Sequence, residues 1–125
     1  SNDFDVFLNE GFPSVVGTKF RISKFGYIDV VLIQIGGWFE IIEESAYLLS
    51  TDFGLKIQDN GGLRPYNLVR FPVKSLNKYY SLLESTPYTY CFVEEIDRAA
   101  DLVRREIRLT SNTDLVGMQF EHILK

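Results

Sequence analysis

The stretch VLIQIGGWFEII, Val31 to Ile42, sets two glycines between two runs rich in β-branched and aromatic residues. Such a pair is a strong short-range signal for a β-hairpin, because a type I′ turn needs positive φ at both central residues. The register that follows puts Ile35 opposite Trp38, Ile33 opposite Glu40 and Val31 opposite Ile42. On the other face it pairs Gln34 with Phe39, Leu32 with Ile41 and Val30 with Glu43. Both faces are apolar near the turn, so the hairpin belongs inside a fold or under a partner. A phosphate cradle would need a helix to begin after the glycines, and here a strand resumes. Gly36 and Gly37 turn the chain.

Upstream of the hairpin, Asp3–Glu10 followed by Gly11-Phe12-Pro13 reads as a short helix and its stop signal. Val16, Thr18, Phe20 and Ile22 alternate with polar or small residues, as a strand with one wet face would. Downstream, Tyr47–Ser50 and Leu55–Gln58 read as further strands, DNGG (59–62) as a loop, and the segment 67–71 as a strand closed by Pro72. In the next stretch, residues 73–85, Leu76, Tyr79, Tyr80 and Leu83 share one helical face. YTYCFVE then reads as a buried strand.

EEIDRAADLVRREIRL, Glu94 to Leu109, predicts a helix, since Ile96, Ala99, Ala100, Val103 and Ile107 fall on one arc. A strand would put Arg105 on the same face as Val103 and Ile107, which argues against it. As a helix it pairs Glu94 with Arg98 and Asp101 with Arg105 at i, i+4. Leu102 and Leu109 then lie one heptad apart on its flank, as candidate homodimer contacts. In the final segment Val116, Met118 and Phe120 read as the inward face of a strand, since Gly117 would weaken a helix. The sum is an α+β fold: a mostly antiparallel, curved sheet forming a partial barrel, with two or three helices packed on it.

The chain is 125 residues long, which predicts a single domain over 1–125. It carries 14% aromatic residues, enough for a bulky core with rings left over for an interface or pocket. Formal charge is −4 and uneven: residues 1–62 hold nine acids and four bases, residues 63–125 eight acids and nine bases. An acidic first half repels phosphate, so neither nucleic acid nor an anionic membrane is expected as a partner. Cys91 is the only cysteine, so no disulfide can close within the chain. No basic segment leading into an apolar run opens the sequence, and a cytoplasmic location is expected.

Chemistry-bearing patterns are sparse. Arg104 to Arg108 spells R-x-x-x-R, and NTDLVG (112–117) has the outline of D/N-x-S-x-x-G. Together they resemble the two signatures of the PilZ cyclic-dinucleotide receptors. The two pieces lie almost adjacent here and Asp114 stands in place of the serine, so the chain is not placed in that family. His122 is the only histidine and has no neighbours at ligand spacing, so neither a metal nor a cofactor is expected. Glu40, Glu43 and Glu44 share a strand in the hairpin reading, with Asp29 opposite Glu44. Two acids held close would raise one pKa, but charges on an edge strand also simply keep it from aggregating.

Two functions remain. The first is a small interaction module that binds another protein, or a copy of itself, through an aromatic surface. The second is a small-molecule site or carboxylate-using enzyme in the curved sheet, with Trp38, Glu40, Arg64 and Tyr66 as its candidate residues. The lack of catalytic grammar favours the first, and enzymatic activity is not the expectation.

Overall fold

A computed structural model describes residues 28–58 and 68–123. Strand β1 (Val30–Ile35) turns at Gly36-Gly37 into β2 (Trp38–Ile42). The register is the expected one, with Ile33↔Glu40, Gln34↔Phe39 and Ile35↔Trp38. Of the two glycines only Gly36 has positive φ, at 60°. That follows the type II′ pattern, with glycine at the first central position, and not type I′.

Helix α1 (Glu43–Phe53) follows at once. This corrects the strand expected at Tyr47–Ser50: Ala46 and Leu49 are buried and Phe53 packs against the same core, a spacing of i, i+3, i+7. The overlooked signal is Gly54, with φ 69°, whose N–H donates to the Ser50 carbonyl at 3.1 Å and ends the helix. Glu43 therefore opens a helix and Glu44 follows it. The strand of three carboxylates and the pairing of Asp29 with Glu44 do not form. A helix N-terminus favours acids there. Asp29 instead accepts the Thr89 N–H through Oδ2 at 2.9 Å, while its own N–H donates to Thr89 Oγ1 at 2.8 Å.

Among the described residues, Leu55–Gln58 makes one bridge, between Gln58 and Leu68, and no strand. Strand β3 (Leu68–Pro72) passes through a 3-10 turn (Val73–Ser75) into α2 (Leu76–Glu84). The expected helical face is confirmed by the burial of Tyr79 and Leu83. Strand β4 (Tyr90–Arg98) and strand β5 (Leu102–Thr110) then form a second hairpin, followed by a 3-10 turn (Thr113–Leu115) and β6 (Gln119–Ile123).

That second hairpin overturns the long helix expected over Glu94–Leu109. Ala99-Ala100-Asp101 is the connection, with the Ala99 N–H donating to the Leu102 carbonyl at 2.8 Å. Val103, Arg105 and Ile107 are buried while Arg104, Glu106 and Arg108 are not, which is a period of two. Register shifts between Cys91 and Val93 and between Glu95 and Asp97 interrupt the ladder. Such bulges blur the alternation in the sequence and let a helical arc compete with it. In the last segment Leu115 and Phe120 are buried and Met118 is half-buried, whereas Val116 is 54% exposed and does not face inward.

The sheet order is β3-β2-β1-β4-β5-β6. Only β1 and β4 run parallel, from Val30↔Tyr90 to Ile33↔Val93, and the other neighbours are antiparallel. Among the described residues the fold is α+β with an open mixed sheet and two helices. Strands β3 and β6 are opposite edges, so the sheet does not close into a barrel.

The two helices cover one face, where Val30, Leu32, Phe39, Ile41, Val69, Phe71 and Phe92 meet Ala46, Leu49, Tyr79 and Leu83. Most of the described aromatic side chains pack here. Phe71 stacks on Tyr79 with centroids 4.1 Å apart, and Phe39 meets Phe92 edge-on at 5.4 Å. Each such pair adds about 1 kcal/mol to simple burial. The second core, built on Ile33, Cys91, Val93, Ile107, Leu115 and Phe120, belongs to the opposite face. The helix expected over 3–10, the strand over 16–22 and the loop at 59–62 lie outside the described residues.

Candidate functional site

Trp38 begins β2 straight after the turn and remains 39% exposed. Its neighbour across β3 is Pro72, and Glu40↔Arg70 is the next pair but one along the ladder. Arg70 places its guanidinium carbon 4.2 Å from the centroid of the Trp38 ring. The indole face attracts the cation through its quadrupole, about 0.5–1 kcal/mol at an exposed site. Glu40, two residues from Trp38 on the same face, is only 5% exposed. Trp38 and Glu40 are thus brought together as the hairpin implies. Arg64 and Tyr66 lie outside the described residues.

Leu102 and Leu109 do not share a helix flank, because both lie on β5. Seven residues of extended chain span about 23 Å, against about 10 Å in a helix. Leu109 packs against the helix-side core.

The most connected polar group stands where the parallel strands end. Beyond Ile33↔Val93 no further pair joins β1 to β4, and side chains satisfy the freed backbone. The Glu95 N–H donates to Gln34 Oε1 at 2.9 Å, and Gln34 Nε2 donates to the Gly36 carbonyl at 3.1 Å. The Gly36 N–H donates to Glu95 Oε1 at 2.8 Å. From β5, Arg105 Nε donates to the Gln34 carbonyl at 2.9 Å, with Nη2 3.6 Å from Glu95 Oε1. Arg98 closes the group from outside, its Nη2 at 2.6 Å from Glu95 Oε1. A buried backbone group left without a partner would cost roughly 1–3 kcal/mol, which is the reason for this splint.

Arg105 is 2% exposed, and its Nη1 is buried with no hydrogen-bond partner among the described residues. Burial pushes its pKa down to about 10, with the Glu95 carboxylate opposing that shift. For Glu95, burial alone would raise the pKa. The Arg98 hydrogen bonds, the Gly36 amide and the Arg105 charge together outweigh it and hold the carboxyl below its ordinary value. Sequence reasoning rejected the strand because it buried Arg105. The signal that rescues it is Glu95, which sits directly opposite Arg105 once the Ala-Ala-Asp turn is recognised.

Cys91 is fully buried, and burial pushes its thiol up to about 12, so no thiolate is present at neutral pH. Among the described residues no cluster of His, Cys, Asp and Glu could hold a metal ion, and no helix is long and apolar enough to cross a membrane. No protein-family model matches the chain, and no curated protein shows significant similarity to it.

Proposed function

We propose that the chain is a small protein-interaction module whose contact surface centres on Trp38 and Arg70. The observation that carries this reading is the exposed indole stacked under a guanidinium beside a tight turn. Tryptophan and arginine are the residue types that most often dominate binding energy at protein interfaces. The lone, buried cysteine suits a reducing compartment, and we place the module in the cytoplasm.

Burial of Glu40 on the same face supports a second reading, a small-molecule site using Trp38 and Glu40. A native mass spectrum of gently purified protein separates the two. The interaction reading expects a co-purified protein or a defined dimer that disappears in Trp38→Ala. A monomer with a reproducible small adduct, lost in Glu40→Gln, overturns it in favour of the second.

A further inference from the structure

Arg105 is a buried guanidinium with few partners. Of its three nitrogens only Nε has a hydrogen bond among the described residues, to the Gln34 carbonyl at 2.9 Å. Nη2 lies 3.6 Å from Glu95 Oε1, an ion-pair distance too long for a good hydrogen bond. Nη1 is buried and has no hydrogen-bond partner among the described residues. A charge removed from water is costly unless an opposite charge and hydrogen bonds replace the solvent.

Glu95 cannot supply that charge in full, because Arg98 already holds it. Arg98 Nε and Nη2 stand 3.2 Å and 2.6 Å from Glu95 Oε2 and Oε1, and the Gly36 N–H donates to Oε1 at 2.8 Å. Among the described residues two guanidiniums thus share one carboxylate, which leaves the group one positive charge in excess. Burial and the Arg98 charge both push the Arg105 pKa down, against Glu95, yet at about 10 it stays protonated at neutral pH. The neighbouring arginines have acids of their own. Arg104 pairs with Glu121 at 3.0 Å and Arg108 with Glu106 at 2.8 Å.

The position suits a bound ion. β1 turns away into β2 on one side and β4 into β5 on the other, so the one parallel pair among the described strands parts at its carboxyl end. Open sheets with parallel strands hold ligands at such a divergence.

We propose that the parted ends of β1 and β4 bind a small monovalent anion, chloride in ordinary salt, on Arg105 Nη1. The chemistry selects the ion. Guanidinium nitrogens only donate, so the ligand must accept. The excess is a single charge, which a monoanion balances and a dianion overshoots. Arg105 is 2% exposed, which favours an ion without a bulky body. A water molecule would satisfy the donor but leave the charge uncompensated. The inference goes beyond the interaction reading and does not depend on it, since none of these groups belongs to the Trp38–Arg70 contact.

The test uses the full chain in potassium gluconate, titrated with chloride at constant ionic strength. The chloride NMR line should broaden saturably with added protein, and bromide should reverse the broadening. Melting temperature should rise over the same titration, because a ligand that binds only the folded protein stabilises it. Charge then sets the order of affinities. Glu95→Gln raises the excess to two charges and should tighten binding about tenfold, whereas Arg98→Ala removes the excess and should weaken it about tenfold. Arg105→Met should abolish it. Arg108→Ala, whose charge has its own carboxylate, should bind chloride as the parent protein does. Thermal unfolding of each variant confirms that it is folded.

A chloride line that does not broaden saturably, with equal melting temperatures in chloride and gluconate, assigns Nη1 a water molecule and overturns the proposal. Unchanged affinity in both Arg98→Ala and Glu95→Gln also overturns it, by placing the ion elsewhere. These two variants decide the matter even where Arg105→Met does not fold, because they alter the charge of the group and leave Nη1 in place.

Discussion

The two sides of the sheet treat positive charge in opposite ways. On β4, β5 and β6 every described arginine meets a carboxylate, and Arg105 does so while nearly excluded from water. On β3 and in the segment that follows it, Arg70, Lys74 and Lys78 stay exposed, Arg70 and Lys78 against rings on opposite faces of the sheet. The first arrangement makes charge part of the architecture, because the strands could not separate beyond Val93 without polar groups to cap them. The second leaves charge available. The balance summed over each half of the sequence conceals this, since it counts a neutralised arginine and an exposed lysine alike.

The contrast is broken most directly at Arg105. Arg105→Met removes the donor to the Gln34 carbonyl and one of the two cations on Glu95, so unfolding free energy should fall by about 3 kcal/mol. Lys74→Ala, from the other side, should stay within about 0.5 kcal/mol of the parent protein. Urea unfolding of both variants measures the gap. A loss below about 1 kcal/mol for Arg105→Met would mean that the splint can be dispensed with.

Acid should sharpen the same contrast. The Glu95 carboxyl is held below its ordinary value of 4.5, the outcome of burial raising it and of Arg98, Gly36 and Arg105 lowering it further. A depressed acid contributes stability that is fully present above the unfolded value and lost as pH falls through the folded one. The splint should thus weaken as pH drops below 4.5, by less than the Arg105→Met effect. Unfolding curves between pH 3 and pH 6, compared with Glu95→Gln, report it: the variant should lose less stability over this window. Parallel curves for the two proteins would detach Glu95 from acid stability.

The legible parts of this chain were those with a local cause. Gly36-Gly37 fixed the first hairpin to the residue, because turn length sets register, and Trp38 and Glu40 came out on one face for that reason. The helix around Tyr79 and Leu83 was marked by its own periodicity and by Pro72 and Pro87. The helix at Glu43–Phe53 was missed although its signals, Gly54 and the spacing of Ala46, Leu49 and Phe53, were local; the larger failure depended on distant partners. Glu94–Leu109 carries two bulges and a buried arginine, and its strand character becomes evident only when Glu95, Gln34 and the end of β1 are in place. The Trp38–Arg70 contact was likewise invisible, since nothing local pairs residues so far apart in the chain.

The finest version of the comparison sets one exposed pair from each side against the other. Trp38 with Arg70 and Arg104 with Glu121 are both surface contacts, the latter at 3.0 Å across β5 and β6. Double-mutant cycles to alanine should give about 0.5 kcal/mol for each. Their responses to salt should differ. The ion pair is a Coulomb interaction in high dielectric and should fade as ionic strength approaches 1 M, where the screening length is about 3 Å. The guanidinium on the indole also gains from dispersion and from covering apolar surface, which salt does not screen, so most of its coupling should survive. If both couplings vanished together, Arg70 would be held at the ring by its charge alone.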